Sequence, residues 1–211
     1  MEWMDHAAVL DRSHHVRRGV HLEWFTIAYN SVEGLIALTA GFFSGSIALV
    51  GFGFDSALEV TSGATLLWRL GADAHERTRE KNEAAALRIV GSCFVLLAVY
   101  VGYDAIQSLV SREAPQPSLV GIVLAAASLI VMPLLALAKR RIAGRIASTA
   151  LTADARQTQL CTYLSAILLC GLLLNAVLGW WWADPAAALA MVPIIAKEGS
   201  DALRGRTCCA T

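Results

Sequence analysis

Residues 47–68 read IALVGFGFDSALEVTSGATLLW, a stretch long and apolar enough to cross about 30 Å of hydrocarbon as a helix, yet interrupted by two acids, Asp55 and Glu59. Four positions apart, the acids share one helical face about a turn from each other. Each costs roughly 2.5–3.5 kcal/mol at mid-membrane on insertion scales, so each needs a water-filled cavity, a partner or a function. Two carboxylates this close resist joint ionisation unless a cation lies between them or one is protonated. The pair therefore suits a divalent cation, a proton, or the exchange of one for the other. The plainer alternative is hydrogen bonding to Ser, Thr or Asn on neighbouring helices.

Outward from this stretch, comparable apolar runs occupy 24–43, 87–108, 119–138 and 158–178. A sixth begins at Asp184 and Pro185, with an apolar stretch, 186–196, that ends before Lys197. Of the 211 residues 56% are hydrophobic and 16% charged, against about a quarter charged in ordinary soluble domains. Mean hydropathy is +0.56. Apolar runs of this length argue against a water-soluble enzyme, a disordered tail or a nucleic-acid binder. Lys+Arg and Asp+Glu balance at 17 each, which gives no pull toward a polyanionic partner.

The expected fold is an all-α polytopic membrane protein with six transmembrane helices and both termini cytoplasmic. Its parts are a cytoplasmic N-terminal tail (1–21), a six-span domain (22–203) and a short cytoplasmic tail (204–211). Basic residues support the topology, because short cytoplasmic segments are enriched in Lys and Arg. With the N-terminus inside, the inside segments hold 16 of the 17 basic residues, and only Arg112 is left outside. Trp180, Trp181 and Trp182 then sit at the outer headgroup level. The first 21 residues are too charged for a cleavable signal peptide. Five cysteines form no regular framework, so disulfides are not expected. The host would be the inner membrane if the source is bacterial.

The fifth run opens ADARQTQLC (153–161), which places Gln157 and Cys161 four apart on one face. Facing Asp55 and Glu59, they would complete a set of two carboxylates, a thiolate and an amide oxygen. The thiolate favours zinc or another thiophilic ion. Read alone, a Cys in an apolar helix is more simply small packing material.

Residues 30–56 (NSVEGLIALTAGFFSGSIALVGFGFDS) resemble the first two spans of the cation diffusion facilitator (cation efflux) family of divalent-metal exporters. The turn SGSIAL (44–49) and the following DSALE (55–59) match the place where that family keeps its first two acidic metal ligands, so the resemblance implies that role for Asp55 and Glu59. ADA (153–155) resembles the entry to the family's fifth span, and WADP (182–185) through KEG (197–199) its sixth. Two departures bear on metal choice: Gln157 and Cys161 stand where His and Asp are usual, and Glu59 replaces the usual Asp. The cytoplasmic C-terminal domain of many relatives and the His-rich loop of some are not matched, and 138–149 reads as a basic connector. It also resembles short members with altered fifth-span ligands, including a vesicular zinc-transporting branch in animals.

The function expected is export of a divalent metal, Zn2+ first and other divalent cations possible, in exchange for protons, with Asp55, Glu59, Gln157 and Cys161 as metal ligands. Expected partners are membrane lipid, the ion, protons and a second copy of the chain in a homodimer, with no nucleic acid. The alternative is a transport-inactive subunit that regulates an active relative. An enzyme is not expected, because no nucleophile–base pair occurs at helical spacing. Among weaker signals, Glu33 is expected to face the bundle, as a proton site or a structural hydrogen-bond acceptor, and Asp104 to line the exit or bond a neighbour. His6, His14, His15, His21 and His75 read as solvated, or as a relay toward the pore. Cys208 and Cys209 read as an unordered tail or an acylation or soft-metal pair. The basic residues from Lys139 to Arg145 read as a topology determinant that meets anionic headgroups.

Overall fold

The computed structural model describes residues 2–71, 76–112, 115–146 and 148–204. The described chain is six α-helices: α1 (Glu2–Ser44), α2 (Ile47–Gly71), α3 (Glu76–Ser111), α4 (Leu119–Ile146), α5 (Thr149–Leu178) and α6 (Ala183–Leu203). Each apolar run read from the sequence lies within one of them. The helices extend past the runs at several ends. Residues 2–21, read as a tail, are helical and continuous with α1, and most of the connector at 138–149 continues α4. Pro133 and Pro193 lie inside α4 and α6 without ending them. His75, Arg206, Cys208 and Cys209 lie outside the described residues.

Turn chemistry sets the ends. Gly179 follows α5 at φ +66°, a left-handed conformation that glycine adopts without steric cost. Its N–H bonds Asn175 O at 3.1 Å and the next N–H, of Trp180, bonds Leu174 O at 3.4 Å, which closes the open carbonyls of the helix. At the start of α5, Ser148 accepts from Leu151 N–H.

The principal partners are α1 with α2, α3 with α6, and α4 with α5; α1 also packs on α4, and α2 and α5 on one another and on α6. Small residues permit the closest approach: a Cβ at Gly91 of α3 would lie 2.8 Å from the Gly199 carbonyl of α6, and one at Gly199 would lie 2.9 Å from Phe94 Cβ. Such crossings are how helices pack where lipid supplies no hydrophobic drive. The α1–α2, α3–α4 and α5–α6 turns meet at one end of the bundle, through Gln116 N–H to Ser44 O (2.8 Å), Asn175 to Pro115 O (3.0 Å) and Ser46 to Asp184 (2.5 Å). We term this the outer end. The opposite, inner end carries a small apolar cluster of Val16, Leu66, Ile142, Ala143 and Leu151.

The bundle is apolar outside and has an apolar core, around Phe52, Met132, Leu164 and Met191, through which polar seams run. Val32, Leu35 and Phe42 of α1, Leu96, Val99 and Ile106 of α3, Val123, Ile130 and Leu134 of α4, and Val177 of α5 are exposed. Glu23, Asn30, Glu33, Asp55, Ser56, Glu59, Lys139, Asp154 and Thr158 are buried. In water the exterior would be an aggregation surface; against lipid it is the required one, because ionisable groups in a membrane face the bundle interior.

Among the described residues, three helical stretches are long and apolar enough to cross a membrane: Phe94–Ser111, Leu119–Arg145 and Asp154–Leu178. They belong to α3, α4 and α5. The other helices, α1, α2 and α6, carry Glu23 and Glu33, Asp55 and Glu59, and Asp184 and Glu198 respectively. These acids interrupt the apolar stretches of the three helices.

Candidate functional site

Three buried seams face one another inside the bundle. On α1, Glu23, Thr26, Asn30, Glu33 and Ala37 recur at steps of three and four; on α2, Phe52, Asp55, Ser56, Glu59 and Gly63; on α5, Leu151, Asp154, Thr158, Cys161, Ser165 and Leu168. Helical periodicity thus turns acids that look scattered in sequence into lines along a common interior.

Asp55 and Glu59 are each 3% exposed, and Cys161 is 1% exposed. The Cys161 thiol lies against the Asp55 carboxylate and interacts electrostatically with Glu59 and Glu33 as well. Asp55 of α2 and Cys161 of α5 therefore meet, with Glu59 one turn further along α2. Gln157, one turn before Cys161, is half-buried at the edge of the seam, and among the described residues no hydrogen bond holds its amide.

Asn30 Nδ2 donates to Glu59 Oε2 at 2.8 Å and to Thr26 O at 3.1 Å. Ser56 Oγ donates to Glu33 Oε2 at 3.0 Å, with Tyr29 and Ser128 alongside the same carboxylate. The expectation that Glu33 faces the bundle holds, at 2% exposure. From α6, Glu198 acts electrostatically on Asp55 and Glu59. His21, in contrast, points its ring to the Arg17 carbonyl at 2.8 Å on an exposed surface.

The interior holds a surplus of acceptors. Glu23 Oε1, Asn30 Oδ1, Glu33 Oε1, Asp55 Oδ2 and Glu59 Oε1 are all buried without a hydrogen-bond partner. All five are oxygens, and all lie on the facing seams of α1 and α2. Buried polar atoms are nearly always satisfied, so a cluster of orphans of one kind calls for an explanation. Missing donors are what a proton or a metal cation replaces, and carboxylate, amide and thiolate donors fit a divalent ion. As the side chains stand, no three His, Cys, Asp or Glu among the described residues converge tightly enough to hold a metal ion. An ion would have to draw α1, α2 and α5 donors inward.

Sequence reasoning missed a second cluster. Lys139, read as part of a basic patch against headgroups, is instead 0% exposed. Its Nζ pairs with Glu23 Oε2 at 3.2 Å and with Asp154, and reaches Thr158 Oγ1 at 3.3 Å. The correction has a physical reason: α4 continues past residue 138 and faces α1 and α5 there, so Lys139 is inside the bundle while Arg140 and Arg141 are on its surface. Glu23, Asp154 and Glu198 were missed for a related reason, since each lies at the end of an apolar run where charge reads as solvated.

This arrangement, an apolar-coated bundle around a line of inward acids, belongs to a membrane-integral ion-handling domain. The chain belongs to the cation efflux family, whose transmembrane domain matches residues 24–205. It is 26% identical over 167 residues to an uncharacterized transporter of Synechocystis sp., covering 76% of this chain and 54% of that protein. It is 28% identical over 100 residues to transmembrane protein 163 of Xenopus laevis, covering 47% of this chain and 35% of that protein. The matched regions thus span about half and about a third of the length of these relatives.

Proposed function

We propose that the chain is a metal-cation efflux transporter that carries a divalent ion, zinc first, across the membrane in exchange for protons. All six helices cross, both termini are cytoplasmic, and the inner end faces the cytoplasm. The observation that carries the reading is the line of partnerless acceptor oxygens between α1 and α2, in a chain of the cation efflux family. The ligands are Asp55, Glu59, Cys161 and, from the edge of the seam, Gln157. Each acid or thiol ligand binds metal only when deprotonated, so metal entry releases protons, and protons on the far side expel the metal.

Other divalent cations compete at the carboxylates, with the thiol tilting the preference toward thiophilic ions. The functional unit is a homodimer joined through lipid-facing helices. The proposed mechanism is binding and exchange, with no enzymatic step. Purified protein in liposomes should move Zn2+ when a pH gradient is imposed and should dissipate that gradient when Zn2+ is supplied. Zn2+ flux with no accompanying proton movement would remove the antiport, and no flux of any divalent ion would leave the alternative of a regulatory subunit.

A further inference from the structure

Lys139 is a wholly buried cation inside the bundle. All three ammonium protons are engaged, by Glu23 of α1 and by Asp154 and Thr158 of α5. Ser62 of α2 adds a bond to Asp154 Oδ1 at 3.3 Å, so the cluster ties four helices together near the inner end. Lys139 and Asp154 both act electrostatically on Glu59, which in turn feels Asp55. The cluster is thus the next step inward from the carboxylate pair.

A purely structural ion pair accounts poorly for this cluster. Two carboxylates face one ammonium, and Glu23 Oε1, fully buried, is left with no partner. Buried charge pairs stabilise little against well-packed apolar residues, because desolvation offsets the attraction. A divalent ion would balance the two carboxylates, which a single ammonium does not. Lysine is also suited to withdrawal, being a point charge on a flexible stem with no planar fork to lock it in place.

We infer that Glu23, Asp154 and Thr158 form an entry position for a divalent cation, held between passages by the Lys139 ammonium as a tethered competitor. An ion arriving from the inner end displaces Lys139 and then moves on to Glu59 and Asp55. The direction of travel rests on the transport reading; the cation position does not. Its donors are all oxygens, so Mn2+ is a fitting probe.

The test uses the full chain in detergent, with Mn2+ alone as ligand and bound ion read by electron paramagnetic resonance. Lys139→Met is placed in an Asp55→Asn background, so that the transport site does not contribute. This double variant should bind one Mn2+ at least about tenfold more tightly than Asp55→Asn alone, and adding Glu23→Gln should abolish the gain. Equal binding by the double variant and Asp55→Asn, or a gain that survives Glu23→Gln, overturns the inference. Because no flux is measured, the result stands apart from whether the wild type transports.

If the Lys139→Met protein does not remain monodisperse, Lys139→Gln takes its place in the same Asp55→Asn background with the same Mn2+ readout: tighter binding that Glu23→Gln abolishes supports the inference, and unchanged binding overturns it.

Discussion

Asp184 and Asp55 are both aspartates buried in the bundle, and they are treated in opposite ways. At the outer end both oxygens of Asp184 are satisfied, Oδ1 by Ser46 Oγ at 2.5 Å and Oδ2 by the Ile47 N–H at 3.0 Å, while Ser46 Oγ also accepts from Leu49 N–H to cap α2. Deeper in, Asp55 has Oδ2 without a partner and like charges on Glu33 and Glu198 around it. The first carboxylate is fully consumed in fastening the α1–α2 turn to α6. The second has the Cys161 thiol beside it and keeps one oxygen with no partner. Burial alone therefore does not set an acid apart in this bundle; acceptor capacity left over does, and on the proposed reading the ion takes up that surplus.

That contrast breaks most readily at Asp55. Asp55→Asn keeps the size and removes the charge, and metal flux should fall about 100-fold or more, on the scale of the 3–5 kcal/mol lost when a buried charge pair is broken. Flux in liposomes, normalised to inserted protein, measures it. Asp184→Asn should do the converse. One bond turns from acceptor to donor, and stability should drop by about 1–3 kcal/mol, read by thermal unfolding in detergent, while flux per folded molecule is retained.

Cys161 sharpens the comparison by ion. Cys161→Ser should weaken zinc transport about tenfold and manganese transport much less, since the thiolate is the soft donor of the set. Cys161→Asp should broaden the range of ions carried. Competition assays with both metals check this, and an equal loss for every ion would assign Cys161 to packing. Gln157 should matter least, because its amide is neutral and lies at the edge of the seam. Gln157→Ala should change zinc flux by about threefold or less, within the net worth of one ordinary hydrogen bond.

The helices were legible because lipid demands uninterrupted apolar length, and that demand is written linearly in the chain. Asp55 and Glu59 were legible for the same reason, as charges breaking a run where none should be. Lys139, Glu23, Asp154 and Glu198 were not. They sit where an apolar run gives way to charge, and there a solvated group and a buried one have the same sequence signature. Only the packing of α4 against α1 and α5, and of α6 beside α2, turns them inward. Nor could spacing along one helix show which carboxylates find donors, because the Asp184 partners lie 137 and 138 positions away in sequence.

The most direct measurement of the central claim is equilibrium zinc binding by wild type, Asp184→Asn and Asp55→Asn, side by side in detergent. Wild type and Asp184→Asn should bind the ion with matching affinity, and Asp55→Asn at least about 100-fold more weakly. Binding by Asp55→Asn equal to wild type, or the same loss in both variants, would contradict the assignment of the partnerless carboxylates to the ion.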